Sequence, residues 1–163
     1  MTLSRKIADA IETHARSAGT GAPGPIEART ADHRIGLQGA VGGPGGVACA
    51  ALSFAALAAE PALATGDLRG WGDRLSARLT YLMEPLVVLE VDGEAGSAEL
   101  RSQAPTTRGE VRSFYEVRLG RDRSLQMRRI SFDAATRRRR ATPCQLTGEV
   151  VERLADDLVA SLG

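Results

Sequence analysis

The stretch Phe114–Arg140, FYEVRLGRDRSLQMRRISFDAATRRRR, decides the architecture of the C-terminal half. Two alternating runs flank the turn GRDRS at 120–124. Folded symmetrically about Asp122, Leu119 faces Leu125 and Val117 faces Met127 on one side of a hairpin. On the other side Glu116 faces Arg128 and Phe114 faces Ile130. Apolar and opposite-charge cross-strand pairs are what antiparallel pairing rewards. A slip of one residue would send every side chain to the wrong face, so the register is strongly specified. Tyr115 then falls on the core side with Val117 and Leu119. Four consecutive arginines cannot all point one way, and Thr142–Pro143 follows as a breaker. Arg137–Arg140 is therefore expected in an exposed loop before the last helix.

Working upstream, Ala104–Gly109 reads as a polar loop and Ser97–Gln103 as a strand. Asp92–Gly93 with Gly96 forms the hairpin turn before it. The run YLMEPLVVLEV contains Pro85, which has no amide hydrogen for a ladder and marks a bulge, a strand start or an edge. In 66–80 the period is helical, with Leu68, Trp71, Leu75 and Leu79 on one stripe. Residues 2–17 form another helix on Leu3, Ile7 and Ile11, ended by SAGTGAPGP at 17–25. Between the helices, IEARTADHRIGLQGAV, the breaker GGPGG (42–46) and VACAALSFAAL are read as two strands joined by a Gly-rich turn. A helix over 47–58 competes, because Ala favours helix. Downstream, Thr147 is an N-cap, and Val151, Leu154, Leu158 and Leu162 form one stripe. The expectation is one α+β domain over residues 1–163. It has a four-strand C-terminal meander plus an N-terminal hairpin in an antiparallel sheet, with N-terminal, middle and C-terminal helices packed on one face.

Composition sets limits on function. The chain has 163 residues, 43% apolar but only 4% aromatic, so the core rests on Leu, Val, Ile and Ala around Trp71. The net charge of +1 gives no global field, yet Arg101–Arg140 holds 12 arginines against Glu110, Glu116, Asp122 and Asp133. Only Lys6 is a lysine, which fits a GC-rich codon bias that favours Arg, Ala and Gly together. Cys49 and Cys144 lie far apart with no CxxC spacing, which argues against a metal site and a disulfide framework. The N-terminal charges Arg5, Lys6, Asp9 and Glu12 break the apolar core a signal peptide needs. The longest apolar run, 47–59, is too short and too Ala-rich for a bilayer span. A reduced cytoplasm, without membrane attachment, is the expected setting.

The chain resembles a family of short proteins from GC-rich bacteria. The resemblance rests on RLTYLMEPLVVLEVDG, AELRSQAP, FYEVRL and QLTGEVVERLADDLVASL, within roughly residues 74–162. It implies a bacterial, cytoplasmic protein and carries over no activity, cofactor or site residue.

No catalytic set stands out. The Gly-rich segment 36–46 lacks the Lys of a Walker loop and the spacing of a dinucleotide fingerprint, so it is read as a turn. His14 and His33 form no selectable dyad with Cys49, Cys144 or a Ser, and there is no GxSxG elbow. Glu84, Glu90 and Glu99 are read as solvated carboxylates of strands. No cofactor or metal is called for. The expected function is non-catalytic binding of a protein partner or a second copy, because a meander ends in edges that pair with something. An alternative is nucleic-acid binding through the Arg-rich 112–140 surface by Arg128, Arg129, Arg137, Arg138, Arg139 and Arg140. It ranks lower because part of that charge is expected to be spent on Glu116, Asp122 and the acidic last helix. A third reading is a small-ligand cavity between the sheet and the C-terminal helix.

Overall fold

The computed structural model describes residues 1–17 and 22–163. In chain order its elements are α1 (Leu3–Ser17), β1 (Gly24–Arg29), β2 (His33–Gly43), β3 (Gly46–Cys49), β4 (Ala51–Ala56), α2 (Thr65–Arg78), β5 (Leu86–Asp92), β6 (Ser97–Ser102), β7 (Thr106–Arg108), β8 (Val111–Gly120), β9 (Ser124–Asp133), β10 (Arg138–Thr142), β11 (Cys144–Leu146) and α3 (Gly148–Ser161). Part of the expected helix stop at 17–25 lies outside the described residues. The protein is α+β, with one antiparallel sheet whose main path runs β11-β3-β2-β4-β9-β8-β6-β5. Strand β1 adds to β2, β10 to β9 and β7 to β8.

The central hairpin has the expected register: Leu119 opposite Leu125, Val117 opposite Met127, Glu116 opposite Arg128 and Phe114 opposite Ile130. Arg123 closes the turn at φ +60°, while Asp122 Oδ1 accepts from the Ser124 amide. The N-terminal half of β9 then pairs with β4, which joins the meander to the N-terminal strands. Residues 46–49 and 51–56 are strands and not helix. Leu52 and Phe54 point to the core between β2 and β9, so burial on a central strand outweighs the intrinsic preference of alanine.

Two segments expected as loops are strands. Thr106–Arg108, inside the expected loop 104–109, pairs with β8. The arginine tetrad is not a loop either: Arg137 takes the turn at φ +55°, and Arg138, Arg139 and Arg140 pair with Asp133, Phe132 and Ser131. The four side chains need not share a direction, because a strand sends alternate residues to opposite faces. Pairing also satisfies the backbone of β9, which would otherwise be a free edge beyond Arg128.

The helices cover one sheet face. Leu3, Ile7 and Ile11 of α1, Leu68, Trp71 and Leu75 of α2, and Val151, Leu154, Ala155 and Leu158 of α3 join a continuous core with the inward residues of the strands. Gly72 lets α2 approach the sheet, since a Cβ there would sit 3.0 Å from Val88. Trp71 is fully buried, and its indole donates to Ser161 Oγ at 2.9 Å. The Arg74 guanidinium donates to the Ser161 carbonyl at 2.7 Å, so α2 is tied to the end of α3. Thr147 caps α3 by accepting from the Val150 amide. Leu154 and Leu158 are each 1% exposed. Leu158→Ala is expected to cost about 2–5 kcal/mol of folding free energy. Chemical denaturation measures it, and a loss below about 1 kcal/mol would mean that α3 is peripheral.

The Gly-rich segment 36–46, expected as a turn, belongs to β2 through Gly43 and turns only at Pro44–Gly45, before Gly46 starts β3. Gly46 sits at φ +142°, and a Cβ there would lie 2.1 Å from the Leu146 carbonyl oxygen. The β2–β3 turn therefore packs directly on the β11–α3 junction, a close approach only Gly permits.

Candidate functional site

The meander has a second face that none of the three described helices covers. Alternation along β8 places Arg112, Phe114, Glu116 and Arg118 there, and along β9 Gln126, Arg128, Ile130 and Phe132. Glu99 and Arg101 of β6 and Arg139 of β10 line up beside them through Arg101↔Glu116 and Arg139↔Phe132. At one end of this face lies a cleft of about 430 Å³ with Phe114 and Phe132 as apolar walls, bounded by Arg101, Ser102, Pro105, Arg112 and Arg139.

The charges in this groove are arranged unevenly. Glu116, 8% exposed, accepts from Arg101 at 3.0 Å and from Arg139, and has Arg128 at 3.7 Å. Arg101 and Arg139 also lie over the Phe114 ring, at 5.3 and 5.9 Å from its centroid. Arg112 stands over Phe132 at 5.2 Å. Among the described residues no carboxylate pairs with Arg112, whereas one carboxylate holds three of its neighbours. A guanidinium over an aromatic ring is held in place while its N–H fork stays free to meet an anion.

Behind the groove lies a buried ion pair. Glu84, expected on a solvated face, is 3% exposed and meets Arg129 with two bonds of 3.0 Å. It also accepts from Ser102 Oγ at 2.9 Å and Thr106 Oγ1 at 2.6 Å. Ser102 in turn accepts from the Tyr115 amide at 2.8 Å. The reason for the different placement is positional: Glu84 and Pro85 both precede β5, so the sheet's alternation does not govern the Glu84 side chain. Burial pushes the Glu84 carboxyl up, but hydrogen bonds from Arg129, Thr106 and Ser102 outweigh it and hold it below the usual carboxylate range. Arg129 lies 4.5 Å over the Tyr115 ring. Its charge is thus consumed internally.

The six arginines of the nucleic-acid reading do not form one stripe. Arg128 and Arg139 meet at Glu116 on the open face. Arg129 is buried against Glu84, Arg137 occupies a turn, and Arg138 and Arg140 alternate away from Arg139. Glu116 takes up charge from the arginines of this segment as expected, but among the described residues Asp122 and the α3 carboxylates pair with none of them. Asp122 serves its own turn, and the α3 carboxylate Asp157 is held by Arg78, Arg153 and Tyr81. The groove residues missed by sequence reasoning are Arg101 and Arg112. Period-two alternation places Arg112 beside Phe114, but only the β6–β8 register brings Arg101 to the same place. Between the helices and the sheet, Trp71, Leu154 and Leu158 are buried, and a cleft of about 900 Å³ opens beside the start of α3, lined among others by Ile11, Ala15, Gly42, Gly46, Thr147 and Glu152. No His, Cys, Asp or Glu side chains gather as three possible metal ligands among the described residues.

No family model, curated protein or solved structure matches the chain. Among the described residues no helix is long and apolar enough to cross a membrane.

Proposed function

We propose that this protein is a non-catalytic protein-binding domain of the bacterial cytoplasm, and that its groove takes an extended partner segment in which acidic and apolar side chains alternate. The observation that carries this reading is Arg112, a guanidinium with no carboxylate partner among the described residues, placed over Phe132 at the mouth of an apolar cleft. Such a site suits one carboxylate beside one aromatic or aliphatic side chain. Self-pairing through the free edge of β5 is the weaker version. That strand exposes Leu89, but a bulge between Val88 and Glu90 and the acids Glu90 and Asp92 blunt it as an edge. The two free buried cysteines support a reducing compartment.

A second reading, single-stranded nucleic acid, is favoured by Phe114 and Phe132 beside arginines on an open sheet. Glu99 and Glu116 count against it, because they interrupt the positive track that a phosphate backbone would follow. Fluorescence anisotropy with a labelled peptide of alternating Glu and Phe, its Lys-for-Glu counterpart and oligo(dT) separates the readings. The acidic peptide is expected to bind, and Arg112→Ala to weaken it by about 10-fold or more, as loss of a charge-assisted hydrogen bond should. Failure of the acidic peptide to bind sinks the proposal. Binding of oligo(dT) with an affinity that falls steeply with salt would promote the second reading.

A further inference from the structure

Cys49 and Cys144, far apart in the chain, are brought directly opposite one another where β11 pairs with β3. Both are fully buried and both are reduced. Directly opposed residues of antiparallel strands have Cα atoms about 4.5 or 5.5 Å apart, depending on the pair type. Either spacing falls within the range of about 4.4–6.8 Å that a disulfide spans. Each thiol shifts the proton affinity of the other.

We propose that Cys49 and Cys144 are a redox-active pair that closes to a disulfide on exposure to a peroxide and locks β11 to β3. Cys144 is the attacking sulfur. The facing Cys49 holds its thiol below the ordinary range and, although burial opposes this, the Arg129 guanidinium adds to it. Cys49 is pushed up by the facing Cys144 and by burial, and so it stays a thiol and acts second. Thiolate character is what makes a cysteine nucleophilic. In the first step the Cys144 sulfur attacks one peroxide oxygen, the O–O bond breaks, and the departing hydroxide takes up the thiol proton as water. The sulfenic acid formed is then attacked by the Cys49 sulfur. The S–S bond forms, and hydroxide leaves with the Cys49 proton as a second water. Two thiols are oxidised by two electrons, and the peroxide is reduced to two waters.

Access comes from the sheet's end. Strand β11 has three residues, terminates the main path of the sheet and, among the described residues, pairs with β3 alone. A cleft of about 240 Å³ lies beside it, lined by Tyr115, Arg129, Pro143 and Gln145, so it reaches both chain neighbours of Cys144. Short terminal strands open at low cost, and hydrogen peroxide needs little room. The locked state fixes the segment that leads into α3, whose first residues rest on the Gly46 turn.

The test is intact mass of the folded protein treated with hydrogen peroxide. The expected result is loss of two hydrogen masses, mapped by non-reducing digestion to a Cys49–Cys144 link and reversed by dithiothreitol. Its rate should be independent of protein concentration, and β11 amides should exchange more slowly once linked. In Cys49→Ser the intermediate should be trapped by dimedone at Cys144. Addition of oxygen without a link, a link between two molecules, or no change in folded protein would each overturn the proposal.

Discussion

Replacing Arg129 with Ala is expected to lower folding free energy by about 3–5 kcal/mol, the usual result of removing one partner from a buried ion pair. The size follows from what remains. Glu84 would keep its burial and its two hydroxyl donors but lose both guanidinium bonds, leaving a charge uncompensated by another. Urea denaturation at neutral pH measures it, and a loss below about 1 kcal/mol would show that water reaches the carboxylate. Removing both charges together, in Arg129→Met with Glu84→Leu, is expected to recover part of the loss, since buried pairs replaced by apolar side chains are often near neutral.

The same pair predicts a pH dependence. The folded Glu84 carboxyl is held below its ordinary value, so the unfolded state binds a proton more readily. The stability it contributes is therefore fully present above the ordinary carboxylate pKa of about 4.3 and is lost as pH falls through the lower folded value. The stability difference between the natural protein and Glu84→Gln should be constant near neutrality and shrink in that acid window. A difference that persists unchanged to acid would show that the carboxyl is not held low.

Trp71→Ala is the other large effect, expected at about 3–5 kcal/mol. Trp71 is the largest of the fully buried side chains and touches the layer where α2 meets α3 and the sheet. Its removal also strips the indole donor from Ser161 Oγ. Ser161→Ala, which loses the hydrogen bond and leaves the ring, should cost only about 1 kcal/mol. Equal losses in the two variants would mean that the hydrogen bond, and not the packed volume, holds α2 to α3.

Locally patterned parts of the protein were legible in the sequence. The register of β8 on β9 follows from alternation on both sides of Asp122, where one choice pairs Leu119 with Leu125, Val117 with Met127 and Phe114 with Ile130. The stripe of α3 follows from its 3–4 spacing and the Thr147 cap. In both, the interaction that decides the structure lies within a few residues or across one turn. The N-terminal strands were less legible because Ala-rich sequence satisfies either period, and it took burial between β2 and β9 to choose.

What only the tertiary structure decided depends on partners distant in the chain. Arg101 joins Arg112, Phe114 and Phe132 because β6 pairs with β8 at one register, which turns an alternating strand into a groove. Glu84 reads as an ordinary surface acid until β9 delivers Arg129 to it. Cys49 and Cys144 read as two isolated thiols until β11 comes to rest on β3. The tetrad Arg137–Arg140 reads as a single block of charge, yet pairing with β9 divides it between two faces. Sequence by itself determined which faces of the helices and of the central hairpin are apolar, because periodicity is written along the chain. Which polar side chains meet was settled by strand order, because electrostatic and thiol partners act through space and leave no periodic trace.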